Sequence, residues 1–175
     1  MSSNLITRML GVLGVHAAIG ALYWAVVEFC FAKQKSLAPD LIERLDGDPS
    51  RISAYLEEMT REVLLAGIGG LLVSAVLACL WLVLIDRNPP IGDKSARGKR
   101  GSWAGLMILA LVAAVGLFCA KVVLAPIATL LAASVPVNAA GLGVILVALG
   151  YWLSTAAFAP ASTKVAVPGG GLFGG

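Results

Sequence analysis

Val63–Ile85 reads VLLAGIGGLLVSAVLACLWLVLI, twenty-three residues without a charged side chain. An α-helix rises 1.5 Å per residue, so a run of about 20 apolar residues crosses the hydrocarbon core of a bilayer. Lipid offers no hydrogen bonds to a bare backbone, so such a run must be helical. Its apolar residues are continuous rather than alternating, which excludes a strand of a membrane barrel.

Three further stretches share this character: Met9–Phe31, Trp103–Ala125 and Val137–Ala159. The whole chain agrees with them. Of 175 residues, 59% are hydrophobic and 13% charged, whereas soluble domains carry about 45–50% and about 25%. The fold class predicted is therefore all-α, a membrane protein of four transmembrane helices over residues 1–159, followed by a Gly-rich tail over 160–175. The first span is long for a signal peptide. Tyr23, Trp24 and Phe29 also stand where cleavage would need small residues.

Charge in the connections orients the spans. The loop 86–102 holds five Lys/Arg against two Asp/Glu, and the loop 32–62 holds five against seven. The basic loop is expected in the cytoplasm and the acidic one outside, so both termini are inside. Within the outer loop, Leu37, Leu41, Ile42 and Leu45 predict a short amphipathic helix over Ser36–Leu45. Asp46-Gly47-Asp48-Pro49 ends it, with Asp48 placed to cap a new helix and Pro49 at its first position.

From Ser50 a helical period (Ile52, Leu56, Met59, Val63) runs into the second span without a break. One helix from about Pro49 to Ile85 is expected, its first turns standing beyond the outer face. Ile52, Leu56 and Met59 form a stripe that needs cover and is a candidate partner-docking face. Ala66, Gly70, Ser74 and Ala78 recur every fourth residue and are a candidate helix-packing face, because small residues let helix backbones approach in lipid. Pro126 and Pro136 bracket Ile127–Val135, which is too short to span. It is expected to be an apolar bridge or a re-entrant turn. The tail, which ends PGGGLFGG, is expected to be flexible.

Ionisable residues within spans are candidates for function. Glu28 and Lys121 lie near the outer ends of the first and third spans, at matching depth, and are a candidate ion pair. His16 is a candidate polar site without a carboxylate partner in the sequence. Cys30 and Cys119 lie at matching depth and could form a disulfide. Arg97, Lys99 and Arg100 are candidate contacts for lipid headgroups.

No catalytic motif, metal-ligand spacing or cofactor motif is present, and no nucleic-acid partner is implied. An enzyme acting on lipid or quinone would need a polar cluster at one membrane face. Only the basic loop offers one, and topology accounts for it. The expectation is a non-catalytic integral membrane subunit, or an assembly or stabilising factor, of a larger membrane protein complex. Its partners would be lipids and other membrane subunits, in a bacterial inner membrane. The alternative is a small homo-oligomeric transporter or channel that uses Glu28.

Overall fold

The computed structural model describes residues 3–31, 43, 47–124 and 134–170. Every regular element among them is a helix. They are α1 (Ser3–Phe31), α2 (Pro49–Arg87), α3 (Gly92–Gly98), α4 (Arg100–Phe118) and α5 (Ser134–Phe158). A π-helical turn, Cys119–Val123, continues α4, and a 3₁₀ turn, Ala161–Ala166, follows α5. Four helices are long and apolar enough to cross a membrane. Apart from Glu43, the Ser36–Leu45 segment expected to be helical lies outside the described residues, as does most of Ile127–Val135. Pro136 sits in the first turn of α5, where its missing N–H breaks no helical bond.

α2 begins as the Asp-Pro pair dictates. The Asp48 carboxylate accepts from the Ser50 amide at 2.9 Å, with Pro49 in the first turn. Its 39 residues make a rod of about 58 Å. It is the central element and packs on α1, α4 and α5. α1 and α4 also both pack on α5, so the bundle is a rhombus with α2 and α5 on its short diagonal and α1 and α4 at its far corners.

Two stripes on α2 explain this position. Ala66, Gly70, Ser74 and Ala78 are buried, whereas Ile68, Leu72, Val76 and Leu80 are exposed. The stripes are offset by two residues, which places them on opposite faces of a helix. Small side chains face the bundle, where close packing supplies the attraction, and large apolar ones face lipid. The exposed stripe runs from Leu65 to Leu84, about 29 Å at helical rise, which matches the hydrocarbon thickness.

Glycine notches fix the helix contacts. The Tyr23 ring of α1 lies against Gly67 of α2, and Phe158 of α5 lies against Gly11 of α1. Phe118 of α4 lies against Gly143 of α5. In each pair a Cβ on the glycine would overlap the ring. Gly70 faces Ala114 of α4 and Val147 of α5 at the central crossing.

At the end of the bundle where α2 finishes, the expected loop contains α3, and α3 packs against the 3₁₀ turn after α5. The start of the tail is therefore structured rather than loose. Thr163, Ala166 and Val167 are buried. Trp152 Nε1 donates to the Pro168 carbonyl at 2.6 Å, and Arg100 donates to the Val165 carbonyl at 2.9 Å. Residues 171–175 lie outside the described residues.

Candidate functional site

The predicted site residues separate into three places. The first is the core crossing of α1, α2 and α5. His16 Nδ1 lies 2.9 Å from the Val12 carbonyl, and Nε2 lies 3.0 Å from the Ser74 hydroxyl. The Ser74 oxygen is also 3.3 Å from the Val147 carbonyl. A carbonyl only accepts, so Nδ1 carries a proton. The Ser74 hydroxyl has a single proton, so at any moment it donates either to Nε2 or to the Val147 carbonyl. Gly150 leaves room for the imidazole on the α5 side. His16 therefore finds its partner in the small-residue face of α2 and not in a carboxylate.

The second place is the start of α2. Lys121 makes an ion pair with Glu62 at 3.5 Å, not with Glu28. The rhombic packing gives the reason, because α1 and α4 occupy its far corners. The π turn that carries Lys121 packs on α2, which brings the ammonium to Glu62. Depth matching identified Lys121 as a paired cation but not its partner. Glu62, the last residue before the uncharged run of α2, was the signal available for that partner. Cys119 is an exposed free thiol and forms no disulfide with Cys30, whose side chain lies outside the described residues.

The third place is the groove between α1 and α2, which the sequence did not reveal. Its apolar part is a cavity of about 430 Å³ lined by Leu13, His16, Ala17, Gly20, Leu71 and Leu72, among others. Its polar part, of about 670 Å³, is lined by Trp24, Glu28, Glu57, Glu58 and Arg61, among others. Ile68 lines both cavities. Burial, followed by the charge of Glu58, pushes the neighbouring Tyr55 hydroxyl up to about 12.

The stripe expected to dock a partner turns inward. Leu56 and Met59 are buried and Ile52 is half-buried against the core, so the chain itself covers this face. The exposed side of the same turns carries Arg51, Ser53, Ala54, Glu57 and Glu58. Of the basic residues near α3, Arg97 is exposed and Lys99 half-buried, while Arg100 is bound to Val165. Ile91 beside them is 93% exposed.

A second polar cluster lies between α4 and α5. Trp103 Nε1 donates to the Thr155 hydroxyl at 2.9 Å, and the Tyr151 hydroxyl donates to the Trp103 carbonyl at 3.3 Å. These bonds join helices and expose no reactive group. Among the described residues, no three His, Cys, Asp or Glu side chains converge as metal ligands would.

Four helices long and apolar enough to cross a membrane, with a stripe of exposed leucine, isoleucine and valine along α2, mark the chain as an integral membrane protein. Comparison with protein-family models, with curated proteins and with solved structures finds no match.

Proposed function

We propose that the chain is a non-catalytic subunit or assembly factor of a larger membrane complex, held in a bacterial inner membrane. Both termini and the basic α2–α4 connection would lie in the cytoplasm, following the positive residues of loop 86–102. The observation that carries this reading is the length of α2. Its lipid-facing stripe spans one bilayer core, yet the helix begins sixteen residues before Leu65, at Pro49. Those residues extend it by about 24 Å beyond the hydrocarbon. A helix held out that far is suited to meeting another subunit, and its exposed residues Ser53 and Ala54 lie where that contact would form.

The test is purification of the tagged chain in a mild detergent, with identification of what accompanies it. Unlike chains in fixed ratio are expected, lost when Ser53 and Ala54 are replaced by bulky charged residues. A pure homo-oligomer would refute the proposal.

One observation favours a second reading, a small homo-oligomeric transporter. Glu28 opens onto the α1–α2 groove, where a cationic solute could be held. In that case Glu28→Gln would abolish flux into proteoliposomes. Unchanged flux would remove the reading.

A further inference from the structure

The α1–α2 groove joins an apolar crevice to a polar mouth. Below Ile68 its walls are aliphatic apart from the hydrogen-bonded His16, and Leu13 and Leu72 are 49% and 62% exposed, so the crevice opens sideways to lipid. Above Ile68 it widens into a mouth with three carboxylates (Glu28, Glu57 and Glu58) and one guanidinium, Arg61, which is 65% exposed and lies 3.6 Å from Glu62. The mouth lies at headgroup level. Glu57–Arg61 precede Leu65, the first residue of the lipid-facing stripe, by one to two turns, and Trp24, 53% exposed, stands at the same height.

We propose that this groove is a binding site for a single phospholipid with a primary ammonium headgroup, of the phosphatidylethanolamine class. One acyl chain lies in the crevice along Ala17 and Gly20. The phosphate meets Arg61, and the ammonium meets the carboxylates. The charge pattern selects this occupant. An anionic lipid would bring a phosphate without an ammonium to three carboxylates. A choline headgroup carries positive charge but has no N–H to donate to them. Basic pockets between helices hold anionic headgroups, and this mouth has the opposite sign. The site does not rest on the chain being a subunit, and in the transporter reading a cationic solute would compete with the lipid for the same mouth.

The experiment uses the full chain in nanodiscs of a phosphatidylcholine background. Phosphatidylethanolamine, phosphatidylcholine or phosphatidylglycerol brominated high on the acyl chain is added at equal mole fraction. The quenching of Trp24 is read as the difference between the wild type and Trp24→Phe. Brominated phosphatidylethanolamine is expected to show a relative association constant about fivefold above the other two, the ratio that one net hydrogen bond of about 1 kcal/mol supplies. Glu57→Gln with Glu58→Gln should bring the three lipids to parity. Gly20→Leu, which fills the crevice, should lower the phosphatidylethanolamine signal while the helical content stays unchanged. Equal quenching by all three lipids in the wild type would overturn the proposal, as would a preference for phosphatidylglycerol. Absence of quenching by any lipid would mean that a second copy or another protein covers the groove, and would overturn it too.

Discussion

His16 Nε2 lies 3.0 Å from the Ser74 hydroxyl, and this contact ties α1 to α2 at the point where α2 also crosses α5. Interhelical hydrogen bonds within membranes contribute modestly, because the separated helices find other partners. Ser74→Ala is therefore expected to destabilise the bundle by about 1 kcal/mol. His16→Ala, which also leaves a cavity, should cost more. Unfolding in mixed micelles measures both. A Ser74→Ala variant as costly as His16→Ala would show that the hydroxyl contributes more than its contacts to His16 and Val147.

Gly67 and Tyr23 make the sharpest packing prediction. Alanine at Gly67 would place its Cβ inside the Tyr23 ring. Overpacking of this kind costs about 1–3 kcal/mol. Gly14 and Gly116 have open space where a Cβ would go, so alanine there should be neutral or slightly stabilising. Thermal unfolding in detergent distinguishes the three variants.

The pairing of Lys121 is open to a double-mutant cycle. Lys121 is about half exposed and Glu62 largely covered, so the coupling between Glu62→Gln and Lys121→Met should stay below about 1 kcal/mol and shrink with salt. The cycle of Glu28→Gln with Lys121→Met should show no coupling. Coupling in the second cycle and not in the first would contradict the rhombic arrangement.

The α2 cap gives a pH dependence of defined sign. The Ser50 hydroxyl and amide hold the Asp48 carboxyl below its ordinary value of 3.8. A carboxyl depressed in the folded state contributes stability that is complete above its unfolded value. That stability is lost as the pH falls through the lower folded value. The first turn of α2 should stay intact at pH 5 and above and fray only below about 3.8. The amide shift of Ser50 in an NMR titration reports it. Asp48→Asn keeps an N-cap acceptor without the charge, so its profile should be flat.

Several of these relationships were visible in the sequence, and the reasons are physical. Spans are one-dimensional features: an uncharged run such as Val63–Ile85 specifies its own helix. The cap at Asp48-Pro49 and the four-residue recurrence of Ala66, Gly70, Ser74 and Ala78 are local patterns too. The partner of Lys121 is not local, because it depends on which helices are neighbours. Depth alone could not separate Glu28 from Glu62. The tail was misread for a different reason. Glycine content signals flexibility, but residues 160–170 are held by the burial of Thr163, Ala166 and Val167 and by bonds to the backbone carbonyls of Val165 and Pro168, which a glycine count does not register. The Ile52–Leu56–Met59 stripe was recognised as needing cover, yet the pattern could not tell the chain's own core from another protein.

The most direct measurement of the central claim is photo-crosslinking from the projecting part of α2 in native membranes. A photoreactive side chain at Ser53, exposed beside the buried Leu56–Met59 stripe, should join the 18.0 kDa chain to a different polypeptide. The same group at Met59, inside the core, should yield only internal adducts. An adduct at Ser53 of twice the chain's own mass, or no adduct there at all, would contradict the account of α2 as the arm by which this chain meets an unlike subunit.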